Sequence, residues 1–482
     1  MFPPCHVSAS LLLAVSSLLF SAEVVLGQAS SCSNSLTPTN GIKPSVASGY
    51  QMALVATGLT KPRSIAFDTA GNLMVVESGA GISKLALQDD GGNCLSVRER
   101  TVVVQNRELN HGLALSQDGS TLYASTPEAV YSWSYDLAQS KASANSRTLI
   151  DNMDTDGHTT RTLLLSEKTN GTLLVSRGSS SNVDFEAVRM SSGHCQLKAF
   201  GIDDVGDTAH DFNEDGVLLG WGLRNSVGVA EHPDTGGIYS VENSVDEIMR
   251  EGDDVHQDNP GEEMNFHGYL NGTEYAPQGS NYGYPYCFSA WAPEDLPQNE
   301  NLKIGTQFAM GEQNSTINDT FCSRQTPPRL TFQAHMAPLD IKFNNSGAEA
   351  WVSFHGSWDR TNPVGYKLSV IPFANGEPVA APDNKTAASD VVVNADNSNC
   401  PRGCFRPVGI AFDRQGRLFM SSDSTGEIYV VVKDQTSPDS TGGESGNAAT
   451  PTTSSAADIC WPTAYRILMI MLISVMASCL VL

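Results

Sequence analysis

The stretch TDGHTTR sets His158 three residues ahead of Arg161, a pair that a loop could present together to handle a proton. A neutral imidazole can take a proton from a hydroxyl while a guanidinium steadies the charge that develops on oxygen. Three other stretches carry chemistry of their own. WGLRNSVG offers Arg224 and Asn225, and SFHGSWDRTNPVGY offers His355, Trp358 and Arg360. In VENSVDEIMREGDDVHQDNPGEEMNFHG the carboxylates of Glu242, Asp246, Glu247, Asp253, Asp254, Asp258, Glu262 and Glu263 crowd a segment containing Gly and Pro. Oxygen donors at that density suit calcium, although the EF-hand spacing is absent. Plainer readings stand beside each: a histidine satisfied by a turn carbonyl, an aromatic that merely packs on arginine, an acidic loop that is only solvated.

These groups need elements to position them, and the chain supplies six similar ones. Arg63, His111, Arg161, Arg224, Pro338 and Arg406 each open an apolar alternating strand, followed by a turn rich in Gly, Asp or Asn and a second apolar strand. Period and punctuation make each unit a hairpin. A lone hairpin cannot bury its apolar face, whereas six units stacked radially form an all-β, six-bladed β-propeller, whose repeats run at about 40 to 50 residues. The first two steps, 63 to 111 and 111 to 161, are 48 and 50 residues long; the later, longer ones require insertions. Equivalent repeat positions surround one channel, so Arg63, Arg161, Arg224 and Arg406 are expected to converge there with His111. That would be a cationic ring, hence an anion site, in a chain with 29 Lys and Arg against 53 Asp and Glu, a formal charge of -24. The alternative is that each arginine caps a turn or pairs with a nearby carboxylate. The overall acidic field disfavours nucleic acid and anionic membrane surfaces as partners.

The ends of the chain suggest an address. Residues 1–27 read as a secretory signal, with the apolar run ASLLLAVSSLLF. A short segment, 28–47, precedes the propeller expected over 48–433. Residues 434–465 form a Ser, Thr and Pro-rich stalk with a region suited to attachment of a glycosylphosphatidylinositol (GPI) lipid, and the apolar tail 466–482 would be removed on that attachment. A tail-anchored helix is the alternative. The expected product is extracellular and touches a membrane only through its lipid anchor. Cys5 would leave with the signal, and Cys460 and Cys479 with the segment beyond the attachment site; of the seven cysteines that remain, nearest-neighbour pairing joins Cys400 to Cys404, Cys287 to Cys322 and Cys32 to Cys94, leaving Cys195 free. Asn170, Asn271, Asn314, Asn318, Asn344 and Asn384 head glycosylation sequons.

The segments HTTRTLLLSEKTNGTLLVSRGSSSNVD, GLRNSVGVAEHPDTGGIYSVENSVDEI, NPGEEMNFHG, NYGYPYCF and FHGSWDRTNPVGY, in that order, resemble the soluble dehydrogenases of glucose and sorbosone that depend on pyrroloquinoline quinone (PQQ), most of all the secreted fungal pyranose dehydrogenases. The resemblance spans roughly residues 50 to 433. It implies a six-bladed propeller that holds PQQ over the channel mouth, with the arginines, His111, Asn225, His355 and Trp358 available to it. It also implies that His158 is the general base, that Arg224 polarises the quinone oxygen and the substrate, and that calcium lies beside the cofactor, held partly by the carbonyls of Ser244 and Val245. Bacterial relatives carry Gly and Pro at those two positions, and Asp where this chain has Gly157, so neither their calcium ligands nor their substrate preference carries over.

Three functional classes follow. The first is a PQQ-dependent sugar dehydrogenase that oxidises the anomeric carbon of free aldoses to lactones and passes electrons to an external acceptor such as a cytochrome. The second is a calcium-dependent propeller lactonase or other hydrolase, which would use the acidic segment and leave the arginines unexplained. The third is a glycosylated surface propeller that binds without catalysis.

Overall fold

A computed structural model of the chain describes residues 37–39 and 44–434, except 204 and 207. The strands assemble into six sheets of at least four strands each, in chain order around a central axis and antiparallel except where His210–Asp211 joins Arg147–Asp151 in parallel. The innermost strands are Pro62–Phe67, Leu113–Leu115, Leu163–Leu165, Ser226–Glu231, Pro338–Phe343 and Pro407–Phe412, so each expected repeat opening stands within two residues of the start of an inner strand. The all-β six-bladed propeller is therefore present. Among the described residues one α-helix occurs, the single turn Asp319–Cys322. No described helix is long and apolar enough to cross a membrane. The expected signal, stalk and tail lie outside the described residues.

The turns from first to second strand show why the sequence folds this way. In the first blade Asp68 Oδ1 accepts the N–H groups of Ala70 and Asn72, and Gly71 takes φ 83°. The sixth blade repeats the device, with Asp413 Oδ1 accepting from Gln415 and Arg417 and Gly416 at φ 78°. An Asp that bonds its own downstream backbone, followed by a residue free to adopt left-handed geometry, closes a hairpin with little help from elsewhere. Apolar residues then fill the seams between blades; Trp351, Leu368 and Val392 of the fifth pack with Leu418, Met420 and Tyr429 of the sixth. Val227, Leu339 and Val408 meet in the channel itself.

Ring closure is not visible in the repeats. Tyr50–Ala56 pairs with Glu427–Lys433 and supplies the outermost strand of the sixth blade, so the two ends of the domain share a sheet. Ser45–Val46, ahead of the expected start at 48, adds an edge strand to the fifth blade beside Ser389–Val393. Cys287 is bonded to Cys322 and Cys400 to Cys404. Cys94 is also disulfide-bonded, its expected partner Cys32 lying outside the described residues, and Cys195 is free and buried.

Alternating strand direction puts two sets of connections on one face: those from second to third strand, and those from the outermost strand to the next blade. At the third, fourth and fifth blades the first kind grows into the long loops 178–195, 243–261 and 355–366. The insertion 270–329 between third and fourth strands of the fourth blade rises to support them, with Tyr284 donating to the Asn182 carbonyl and Asp319 pairing with Arg250.

Candidate active site

His158 lies on the loop 152–162 that leads into the third blade. Its backbone N–H donates to the Ser179 carbonyl at 2.9 Å, and the Ser179 N–H donates to the Arg224 carbonyl at 2.8 Å, so one residue joins the two candidate catalytic loops. The ring is oriented as well. Nδ1 lies 2.8 Å from Ser179 Oγ and 3.2 Å from the Ser179 carbonyl. Because Ser179 Oγ donates its own proton to the Ser181 carbonyl, it accepts from His158, and a carbonyl can only accept. Nδ1 therefore carries the proton and Nε2 the lone pair. Among the described residues Nε2 makes no hydrogen bond. Burial and the Arg224 charge push the imidazole down to about 4, so it is neutral at ordinary pH.

Two glycines permit this closeness. A Cβ on Gly178 would sit 2.8 Å from the His158 Cβ and 2.7 Å from Asn225 Oδ1. Gly157 adopts φ 63°, and a Cβ there would approach the Ser180 backbone to 2.3 Å. The Asp of bacterial relatives at that position has no room here.

Arg224 is buried, and its five N–H groups are all engaged. Nε donates to the Asn182 carbonyl, Nη1 to the carbonyls of Ser244 and Asn243, and Nη2 to Asn182 Oδ1 and Asp246 Oδ2. In this arrangement the guanidinium holds the 243–246 loop, and each of its N–H groups already has a partner within the protein. Its own backbone N–H is accepted by Glu242 at 2.8 Å. Asn225 is buried alongside, its carbonyl accepting the Asn243 N–H.

The arginine ring forms only in part. Arg161 is 1 % exposed and points away from the channel mouth into its own loop, donating to the carbonyls of His158, Thr160, Met153 and Asp154. It caps backbone, and in doing so fixes the carbonyl of His158 at 2.6 Å. Arg360 likewise fastens its loop to the fourth blade through the Gln257 carbonyl and Asp258. Repeat position predicts where an arginine starts and says nothing of which way it turns.

Arg63 and Arg406 do approach each other at the opposite side. Arg63 Nη1 meets Asp423 Oδ2 at 2.6 Å, and His355 Nε2 meets Asp423 Oδ1 at 2.9 Å. Arg406 donates to the carbonyls of His355 and Gly356. Burial pushes the Asp423 carboxyl up, but His355 and Arg63 outweigh it and hold the group ionised. His111 is 2 % exposed in the channel near this cluster; burial and then the Arg63 charge push it down, and its Nδ1 has no partner among the described residues. Trp358 is the reverse, 63 % exposed on the fifth-blade loop.

The acidic segment divides. Glu242, Glu262 and Glu263 are strand residues at most 5 % exposed, which corrects the picture of a solvated loop. Glu262 accepts the N–H groups of Ser244 at 2.7 Å and Ala337 at 3.0 Å, tying two mouth loops together. The Val245 side chain sits in the apolar cluster beneath. Ser179, Asn182, His335 and Asp423 escaped sequence reasoning, since only their distant partners mark them.

A family model described as TrAA12-like matches residues 44–434. The chain belongs to that family. A PQQ-dependent sugar dehydrogenase of Hypocrea jecorina is 47 % identical over 409 residues, which cover 83 % of this chain and 93 % of that protein. A PQQ-dependent pyranose dehydrogenase of Coprinopsis cinerea is 35 % identical over 408 residues, 80 % of this chain and 54 % of that longer protein. Among solved structures, the calcium structure of a Trichoderma reesei member of carbohydrate-active enzyme family AA12 superposes with TM-score 0.81 at 48 % identity, over 83 % of this chain and all of that one.

Proposed function

We propose that this member of the TrAA12-like family is a calcium- and PQQ-dependent dehydrogenase of free aldoses. The observation that carries the reading is His158, a neutral imidazole with Nδ1–H held by Ser179 and its Nε2 lone pair left open at the mouth. A binding module would leave that oriented base without a task, and a lactonase would leave the free donors of Arg63 and Arg406 unexplained.

PQQ is a planar, carboxylate-bearing quinone, and the residues present suit it. Among the described residues Arg63 hydrogen-bonds only through Nη1 and Arg406 only through Nε and Nη2, so both keep donors for carboxylates. The unpartnered Nδ1 of buried His111 offers a further polar contact, and Trp358 an uncovered aromatic face. Calcium would draw on the carbonyls of Ser244 and Val245; the Ser244 oxygen already accepts from Arg224 and has a second lone pair to give. When bound, PQQ supplies the two-electron acceptor for the sugar's C–H.

His158 Nε2 takes the proton of the anomeric hydroxyl. Ser179 keeps the ring from turning, and the Arg224 charge stabilises the alkoxide that forms while leaving His158 unprotonated beforehand. Oxidation at the anomeric carbon yields a lactone, so methyl glycosides, blocked at that hydroxyl, are inert. Electrons then pass to an external acceptor such as a cytochrome. Secretion through residues 1–27 and a lipid anchor replacing 466–482 complete the reading, supported by six sequon asparagines of which none is buried. Release from membranes by phospholipase C tests the anchor, and retention refutes it.

The deciding experiment adds PQQ and calcium to purified protein and follows reduction of a dye by aldoses and by their methyl glycosides. Stoichiometric binding and aldose-only activity are expected. Absence of binding by calorimetry with both present overturns the cofactor, and equal rates on both sugars overturn anomeric oxidation.

A further inference from the structure

Three mouth loops from three separate elements bring one histidine and two carboxylates together. Asp246 stands on the fourth-blade loop 243–261, His335 on the link 333–337 into the fifth blade, and Asp359 on the fifth-blade loop 355–366. One ligand atom from each lies within 4.8 Å of the others. His335 is buried and the two aspartates are partly exposed, so the cluster opens towards solvent on its carboxylate side.

The hydrogen bonds around His335 fix what faces the gap. Its Nε2 contacts the His256 carbonyl at 2.5 Å, and because a carbonyl only accepts, Nε2 carries the proton. Nδ1 is then turned to Asp246 Oδ1 at 3.7 Å, too long for a hydrogen bond yet close for two groups that both present lone pairs. Two ligands bound at about 2.0–2.2 Å to one transition metal stand roughly 3–4 Å apart, which matches that spacing. A histidine that ligates metal through one nitrogen and donates its other N–H to a backbone carbonyl is also the usual outer arrangement of such sites. The carboxylates are positioned as well: Asp246 gives Oδ2 to Arg224 at 3.0 Å and keeps Oδ1 for the gap, and Asp359 Oδ2 accepts the Glu247 N–H at 3.2 Å. His335 and Glu247, on two of the three loops, hold left-handed backbone at φ 64° and 51°, a conformation that costs non-glycine residues energy.

We propose that Asp246, His335 and Asp359 form a binding site for a divalent transition metal, zinc or manganese, separate from the calcium of the cofactor site. An imidazole nitrogen with two carboxylates favours these ions, whereas calcium selects oxygen donors. The bound ion would staple the three loops and, through Asp246, set the position of Arg224. A proton is the competing occupant: burial lowers the affinity of His335 for one, but Asp246 and Glu262 raise it further, so the alternative is an imidazolium–carboxylate pair with no metal.

The test is calorimetric titration of zinc, and separately manganese, into the full purified protein in excess calcium with PQQ present, with manganese also followed by electron paramagnetic resonance. One ion per chain is expected, with affinity falling at least about 10- to 100-fold in both His335→Gln and Asp359→Asn. Asp359 is partly exposed, so its variant keeps the test usable if His335→Gln fails to fold. Affinities unchanged in the variants, or neither ion bound by the parent protein, overturn the proposal in favour of the imidazolium pair. PQQ binding is read separately from its absorption, so loss of the cofactor reading does not mimic loss of this one.

Discussion

Blades one and four place a glutamate at the same point, the end of the second strand, and treat it in opposite ways. In the first blade Glu77 is buried against Arg100, whose Nη2 lies 2.6 Å from both carboxylate oxygens, and Ser83 adds a further donor. In the fourth, Glu242 faces Glu263 directly across the strand pair, with Glu262 adjacent. The loops differ in parallel: residues 78–80 suffice after Glu77, whereas 243–261 follow Glu242. A blade whose turns satisfy their own polar groups neutralises its charges locally and stops there. A blade that must hold a site keeps charges unbalanced and spends long loops arranging them, and removing a residue should therefore act locally in the first kind and reach the chemistry in the second.

The sharpest test of that contrast is His158. His158→Ala should retain PQQ binding while turnover falls by about 10² to 10⁴, measured as dye reduction. Ser179→Ala, which leaves the ring but loosens the tautomer, should lower turnover less and leave the Michaelis constant for sugar nearly unchanged. The pH profile carries the same information. With the folded imidazole at about 4 against a usual value of about 6.5, the unfolded chain binds the extra proton between those limits. Turnover and this group's contribution to stability should both be present above about pH 6.5 and lost as pH falls through about 4. Full activity in His158→Ala would place the base elsewhere, with His355 and His111 next in line.

Arg161 separates the two readings of the arginine repeats. Arg161→Met leaves the carbonyls of Met153, Asp154, His158 and Thr160 without their donor, at about 1–3 kcal/mol for each buried acceptor that stays unsatisfied. We expect a net loss of about 3 kcal/mol by denaturant unfolding and a fall in turnover as the His158 loop shifts, with affinity for PQQ retained. Loss of PQQ binding with stability intact would show that Arg161 turns to the mouth after all.

Arg161 also marks the limit of what the sequence discloses. The six inner strands were legible because alternation and Gly–Asp turns are local, and His158 because HxxR is short. What the arginines touch depends on packing that no repeat encodes: Arg63 and Arg406 flank Asp423 and His355, while Arg161 turns to backbone carbonyls and Arg224 to carbonyls, Asn182 and Asp246. Ser179 lies 21 positions from His158, and Asp423 lies 68 from His355. Such pairs have no signature until the propeller closes, and closure rests on a strand, Tyr50–Ala56, that belongs to none of the repeats.

The smallest effect returns to the glutamates and has the opposite pH sign to His158. Burial, with Glu262 adding to it, pushes the Glu263 carboxyl up to about 7, and the Asn265 and Ser289 donors only partly offset this. A group raised from its usual value of about 4.3 contributes stability that is fully present below that value and lost as pH rises through about 7. Glu263→Gln cannot ionise, and its amide oxygen can still accept from Asn265 Nδ2, which now meets Oε2 at 3.0 Å. The variant should therefore match the parent near pH 5 and exceed it at pH 8 by roughly 1–3 kcal/mol, since each pKa unit is worth about 1.4 kcal/mol. Glu77→Gln, at the equivalent place in the first blade, should instead destabilise at both pH values, because Arg100 loses its counter-charge. Parallel pH curves for Glu263→Gln and the parent would mean that the fourth blade neutralises its carboxylates as fully as the first, and the contrast between the two would fail at its chemical root.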